Sequence, residues 1–390
     1  MIRLLAFTLA LTAGPLHADT ACGGRFSDFL AGLKSEAQAR GIDPSVAERF
    51  LAPVRQSQSV LNRDRQQGFF QAPFLEFSRK LISQNRLDRG QQLGRQYDAI
   101  FDRIEAEYGV SRGVLLAFWA FETDYGAFQG DFNTADALVT LAHDCRRPEI
   151  FRPQIFAAME LFEQGAFDPA RTTGAWAGEI GMVQMLPEDI LENGRDGDGD
   201  GRVDLKNSAP DALVSGAAML ADLGWRPGAP WIEEVRLPEN FDWYQAGLET
   251  EKSVEEWRAM GVAPRDGTFD GSGPGASIVI PQGKDGPAFI AYPNFSVYFE
   301  WNQSFTYVMT AAYFATRLEG APVYDAGNPS AGLSGEEMVS LQQKLQARGY
   351  DVGGADGILG AGTRAAVRDV QRELGLPADA WPTRDLLNRL

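Results

Sequence analysis

Ser111-Arg112-Gly113-Val114-Leu115-Leu116-Ala117-Phe118-Trp119-Ala120-Phe121-Glu122-Thr123-Asp124-Tyr125-Gly126 is the stretch on which the fold of this chain turns. Ser111 stands where an N-cap belongs, and Gly126 where a glycine would close a helix. Between them the residues are apolar on nearly every face, so the helix they predict is buried. Glu122 is the first ionisable group after Arg112. A carboxyl at the end of such a helix is partly desolvated, and burial favours its neutral form. A carboxylic acid that keeps its proton near neutral pH is what general acid catalysis requires. On pattern alone a blander reading stands beside it: a glutamate emerging into solvent at a helix end.

The flanking sequence is helical before this stretch and less regular after it. Asp43-Pro44 predicts a helix start, and residues 91–108 carry Leu93, Tyr97, Ile100, Phe101 and Ile104 on one helical face. Residues 234–237, 277–280 and 288–291 predict short strands. The glycine-rich residues 267–275 lack the strand-to-helix context of a phosphate cradle.

The chain has 390 residues, 44% hydrophobic and 23% charged, which suits two or three globular domains rather than disorder. Its net charge of -17 argues against gripping nucleic acid or an anionic membrane by bulk charge. With 2 His and 2 Cys, multi-ligand zinc sites and most His-based nucleophilic chemistry are excluded. Residues 1–18 have the pattern of a secretion signal: Arg3, an apolar run over 4–13, a break at Gly14-Pro15, and Ala18 for cleavage. That run is too short to span a bilayer, which needs about 20 residues. Asp19 spoils a lipidation motif before Cys22. In an oxidising compartment Cys22 and Cys145 are the expected disulfide; two free buried thiols are the alternative.

Residues 319–332, with Pro322, Asn328, Pro329 and three glycines, have linker composition. A compact helical unit follows over 333–390. Met338, Leu341 and Leu345 mark its first helix, over 335–348, and residues 351–362 a glycine-rich turn region. Thr363 is placed to cap a second helix carrying Ala366, Val367 and Val370, and residues 383–390 form a short third.

The unit resembles the three-helix peptidoglycan-binding domain often appended to cell-wall enzymes. The matching residues are Leu341-Gln342-Gln343-Lys344-Leu345, Gly349-Tyr350, Asp356-Gly357-Ile358-Leu359-Gly360, Thr363, Ala366-Val367 and Gln371. Val370 departs from the family's usual Phe. The large domain resembles the membrane-bound lytic murein transglycosylase B family over residues 25–318. Phe121-Glu122-Thr123-Asp124-Tyr125-Gly126 matches its Glu-Thr-x-Tyr/Trp-Gly motif. The segments 137–142 and Arg146-Arg147 match the stretch after the catalytic helix. Ala177-Gly178-Glu179-Ile180-Gly181-Met182-Val183-Gln184 and Asn302-Gln303-Ser304-Phe305-Thr306-Tyr307 match two further elements.

The resemblance implies an α+β, mainly helical, lysozyme-like domain with a small β-containing subdomain. It is joined to the C-terminal three-helix peptidoglycan-binding domain, and the expected division is 1–18, 19–318, 319–332 and 333–390. It implies cleavage of the β-1,4 bond between N-acetylmuramic acid and N-acetylglucosamine, leaving a 1,6-anhydro product. Glu122 is the implied catalytic acid. Gln184, Asn302 and Tyr307 would line the groove, and Arg146 and Arg147 would meet peptide carboxylates. Phe77 falls where the family often has a groove tyrosine, leaving only stacking. Trp176 and Trp225 are expected in the core, with a sugar platform as the alternative for each. Such a scheme needs one carboxylate, whereas ordinary glycosidases need two. Asp124, two positions from Glu122, faces away on a helix. A hydrolytic muramidase and an inactive murein-binding scaffold are the alternatives. Partners are glycan strands and stem peptides, not nucleic acid, and a periplasmic monomer without a transmembrane segment is expected.

Asp196-Gly197-Asp198-Gly199-Asp200-Gly201-Arg202 matches the opening of an EF-hand calcium loop, with carboxylates at loop positions 1, 3 and 5. Asn207 stands where the bidentate Glu would be. In the family the loop is longer and closes with a later Asp, a role Asp211 fits. The expected structural calcium therefore takes Asp196, Asp198, Asp200, the Arg202 carbonyl and Asp211. The alternatives are a solvated acidic turn and a site held by sodium or magnesium. Catalysis calls for no cofactor.

Overall fold

The structure, a computed structural model, describes residues 22–65 and 72–390. The expected signal segment 1–18 lies outside the described residues. What is described is mainly helical, with two small antiparallel sheets. None of its helices is long and apolar enough to cross a membrane.

The central helix runs from Arg112 to Thr123 and buries Val114, Leu115, Ala117, Phe118 and Ala120 completely. Each large apolar side chain so buried stabilises the fold by about 1.5–3 kcal/mol. The helix packs on Phe305–Leu318, with Phe121 stacked on Phe314 at 5.1 Å between ring centroids. Gly113 permits that approach, since a Cβ there would lie 2.7 Å from the Ala315 carbonyl oxygen. Ser111 occupies the N-cap but makes no capping bond. Instead Glu319 Oε1 accepts the Gly113 N–H at 3.2 Å.

The helix also ends sooner than Gly126. Asp124 and Tyr125 adopt left-handed φ values of 50° and 59°, followed by Gly126 at 83°. Non-glycine residues rarely occupy this region, and tertiary contacts hold them there. Arg86 Nε donates to the Asp124 carboxylate at 2.9 Å, and Tyr125 Oη donates to the Arg86 carbonyl at 2.8 Å. Residues 91–108 likewise form parts of two helices, Gln84–Gln96 and Asp98–Tyr108, which meet at Tyr97. The apolar spacing carries across the junction, so periodicity alone does not reveal it.

The N-terminal lobe gathers Phe26–Ala39, Pro44–Leu51, Thr134–His143 and Pro148–Glu163 around Leu33, Phe50, Leu138 and Ile155. Asp43 caps its helix as expected, accepting the Ser45 N–H at 2.7 Å. Cys22 and Cys145 are joined in a disulfide that fastens the chain start to this lobe. The β subdomain is a four-stranded antiparallel sheet in the order Ala263–Pro264, Ile232–Arg236, Phe289–Ala291, Ser277–Val279. Ile290 pairs with Glu233 on one side and Ile278 on the other. Trp257 fills its core, its indole N–H donating to the Ala276 carbonyl at 2.8 Å.

Gly335–Ala347, Ala361–Glu373 and Arg384–Arg389 form the C-terminal unit around Leu341, Leu345, Val367 and Val370. Thr363 lies inside the second helix rather than capping it. Its Oγ1 accepts from buried Gln342 Nε2 at 3.2 Å. The unit is docked on the rest of the chain: Arg368 donates to the Ala246 carbonyl at 2.7 Å, and Tyr244 Oη to Asp369 at 2.9 Å. Residues 321–334 contain no helix or strand. They are nonetheless held down, with Tyr324 buried and the Asn328 N–H donating to the Asp285 carbonyl at 2.8 Å.

Candidate active site

Glu122 sits on the last turn of the central helix, partly accessible at the end of an apolar rod. Two donors converge on one of its oxygens. Tyr307 Oη donates to Oε1 at 2.5 Å and Trp301 Nε1 donates to the same atom at 3.1 Å. Trp301 is itself fixed by stacking on Phe118 at 4.3 Å. An oxygen receiving two donors is the acceptor oxygen of the acid form, so the carboxyl proton belongs on Oε2. Burial raises the Glu122 carboxyl, the Tyr307 and Trp301 hydrogen bonds pull it down, the Glu179 charge pushes it up, and the balance is about 7.

Gln184 lies on the loop facing this end of the helix. Thr123 Oγ1 donates to the Met182 carbonyl at 2.6 Å, which ties that loop to the residue after Glu122. Ile180 and Met185 close it as a β-bridge. Gln184 holds a left-handed φ of 56°, and its amide donates to the Gly181 carbonyl at 2.7 Å. Backbone strain of this kind concentrates at functional sites. Asn302 turns the chain between two helices, its Oδ1 accepting the Ser304 N–H at 2.9 Å. Trp301 and Tyr307 flank that turn and both reach Glu122.

Other expected residues fall elsewhere. Arg146 and Arg147 both bind Asp64, which is 1% exposed. Burial of Asp64 opposes its charge, but the two guanidinium groups hold its carboxyl below the usual range. The two thus share an internal partner, while the Arg146 side chain itself stays 47% exposed. Phe77 is buried at 2% exposure and presents no open face to a sugar, a correction. Trp225 is in the core, as expected, with its N–H on the Gly109 carbonyl.

In the acidic loop, oxygens of Asp196, Asp198 and Asp211 lie within 4.8 Å of one another. Asp211 is buried on the first turn of Ala209–Asp222 and accepts the N–H groups of Gly197, Asp198 and Asp204. Exposed Asp200 lies outside that group of carboxylates, and Arg202, expected to offer its backbone carbonyl, follows it on the loop. Three hard anionic oxygens this close suit a hard divalent cation.

Trp301 and Glu179 join the site although the sequence motifs give neither a role there. A tryptophan inside an apolar helix has the pattern of core, although its place just before Asn302 was a usable signal. Glu179 lies within a matching motif, but a one-carboxylate scheme gives it no task. Its carboxyl is raised by burial, and its Oε2 is buried without a hydrogen-bond partner.

These positions carry an expected result. Glu122 acts as an acid only while protonated, so turnover falls as pH rises through about 7. Glu179→Gln removes a like charge and should move that limb to lower pH. Tyr307→Phe removes a donor that favours the carboxylate and should move it to higher pH. Rate profiles from pH 5 to 9 check both signs.

The transglycosylase SLT domain model matches residues 25–316. The chain belongs to the transglycosylase SLT family. A putative peptidoglycan binding domain matches residues 334–390. Among family relatives, the Escherichia coli (strain K12) membrane-bound lytic murein transglycosylase B is 26% identical over 240 residues, 60% of this chain. The matched region spans 64% of that protein's length. Pseudomonas aeruginosa SltB3, solved with NAG-anhNAM-pentapeptide, superposes with a TM-score of 0.85 at 35% identity, covering 94% of this chain and 99% of that one. Escherichia coli Slt35, solved in complex with calcium, shares the fold at a TM-score of 0.65 and 23% identity, covering 79% of this chain and 98% of its own.

Proposed function

We propose that this SLT-family protein is a lytic transglycosylase of peptidoglycan. It cleaves the β-1,4 bond between N-acetylmuramic acid and N-acetylglucosamine. The observation that carries this reading is the desolvated carboxyl of Glu122 at the end of the central helix, raised to about 7, with two donors on Oε1 and Oε2 left for a substrate.

Glu122 Oε2–H gives its proton to the glycosidic oxygen as the C1–O4 bond breaks and positive charge gathers on the muramic acid ring. The carboxylate so formed gains from the Tyr307 and Trp301 donors, which strengthen as its charge appears. It then takes the proton of the same sugar's 6-hydroxyl while that oxygen bonds to C1. The proton lost in the first step is recovered in the second, and no water is consumed. Gln184 and Asn302 are the groove's neutral hydrogen-bonding groups in this scheme.

Glu179 gives a hydrolytic reading its one foothold, because retaining and inverting glycosidases use carboxylate pairs. Against it, Glu179 Oε2 is sealed from solvent and poorly placed to activate bulk water. Purified sacculi treated with the protein should yield chromatographic peaks of 1,6-anhydro-muropeptides. New reducing ends would favour hydrolysis, and no release at all would favour a binding scaffold.

The protein acts in the periplasm as a monomer, with the C-terminal unit holding it on murein. Asp196, Asp198 and Asp211 bind a structural Ca2+ that fixes the acidic loop. That loop leads into Leu205, whose carbonyl accepts the Met182 N–H at 2.8 Å, so the ion buttresses the Gln184 loop. Adding EDTA should lower Tm, and saturating Ca2+ at about 100 times its Kd should restore about 2.7 kcal/mol. Asp196→Asn should abolish that response, and a Tm indifferent to both treatments would rule the ion out.

A further inference from the structure

The helix-to-helix turn that serves Glu122 also faces a second space. Trp301 and Tyr307 hold the acid from the two ends of the segment, while Ser304, Phe305 and Thr306 in its middle line a groove of about 390 Å³. The opposite wall belongs to the C-terminal unit, through Met338, Leu359, Arg364 and Trp381. The catalytic centre and this groove are therefore neighbours across one short stretch of backbone.

Arg364 is the unusual member of the lining. Among the described residues no carboxylate lies within ion-pair distance of it. Its Nη2 donates to the Pro281 carbonyl at 3.1 Å, its guanidinium lies 4.4 Å from the centre of the Phe305 ring, and its buried Nε has no partner. Burial pulls its guanidinium down to about 10, with Asp379 and Glu249 acting only from a distance. A partly buried guanidinium whose Nε is sealed off and unpaired is costly to keep in a chain with 53 acidic residues to choose from. An anion supplied by a ligand would complete it, with fork geometry suited to a carboxylate.

We infer that this interdomain groove binds a peptide branch of the glycan strand, with Arg364 holding a peptide carboxylate. The inference rests on the transglycosylase reading above. On a murein strand the N-acetylated sugars are uncharged, and the lactyl carboxyl is consumed in the amide to the peptide. The carboxylates are thus those of the peptide branches. Phe299, Phe305 and Met338 offer apolar contact for short aliphatic side chains beside that charge. A strand lying across Glu122 then engages both domains at once, and the peptide next to the scissile bond reports correct seating.

The test compares kcat/KM on peptide-bearing glycan strands with kcat/KM on the same strands stripped by an amidase and with the lactyl carboxyls so freed capped as methyl amides. Wild-type protein should prefer the peptide-bearing strands by about tenfold or more, mainly through KM. Arg364→Gln should bring that ratio close to one, while Arg364→Lys, which keeps the charge, should retain part of it. A wild-type ratio near one would overturn the inference without any variant. A ratio unchanged in Arg364→Gln would overturn it as well. If wild-type protein formed anhydro products from neither substrate, the transglycosylase reading itself would fail, and this inference with it.

Discussion

Glu122→Gln is expected to abolish turnover of murein, by about 10⁴-fold or more, while leaving the fold intact. The size follows from the double duty of one group: it is the acid in the first step and the base in the second, and general acid–base catalysis alone contributes about 10²–10⁴-fold. The fold should survive because an amide oxygen still accepts from Tyr307 and Trp301, which today share Oε1. The same variant should gain stability at alkaline pH. The folded-state carboxyl titrates near 7 against an ordinary 4.5, so the native state binds the proton more tightly than the unfolded chain. The stability tied to that proton is fully present below about 4.5 and is lost as pH rises through 7. Above that range the buried carboxylate costs the wild type on the order of 3 kcal/mol, and the amide escapes this cost. Denaturant curves at pH 5 and pH 8 should therefore nearly coincide with wild type at the lower pH and separate at the higher. A variant that stayed active, or that was equally stable relative to wild type at both, would contradict the role given to Glu122.

The second large effect belongs to the disulfide. Cys22 and Cys145 close a loop of 123 positions, and removing a crosslink of that span costs about 2–5 kcal/mol in comparable domains. The bond sits where several contacts meet. Gly23 N–H donates to the His143 carbonyl at 2.8 Å, Cys145 holds a left-handed φ of 59°, and Arg146 and Arg147 follow at once to neutralise buried Asp64. Replacing both cysteines with serine should lower the denaturation midpoint of the N-terminal lobe, and reductant should do the same to wild type but nothing to the variant. Equal midpoints for oxidised and reduced wild-type protein would contradict this.

Much of this architecture was legible because it is written locally. The buried helix announces itself by lacking a polar face, Asp43 by its Pro44 neighbour, and the C-terminal unit by spaced apolar residues. The acidic loop is visible as alternating Asp and Gly. What was hidden depends on partners distant in sequence. Ser111 has the right side chain for a cap, yet it is Glu319 that accepts the Gly113 N–H, from 206 positions along the chain from that glycine. Asp124 and Tyr125 leave the helix because Arg86 holds both, and nothing within the motif predicts that. Nothing beside Arg146 and Arg147 in sequence announces Asp64, their shared buried partner 82 and 83 positions earlier. Trp301 looks like core in a one-dimensional pattern and becomes part of the site only once Phe118 turns its indole toward Glu122. The resemblance located the acid, whereas its surroundings required three dimensions.

The proton held by Glu122 is passed out and taken back without water, and that claim has a direct test. Sacculi digested by the protein in ¹⁸O-enriched water should release muropeptides that end in 1,6-anhydromuramic acid and carry no ¹⁸O at C1 by mass spectrometry. Reducing-end muropeptides bearing ¹⁸O at C1 would contradict it.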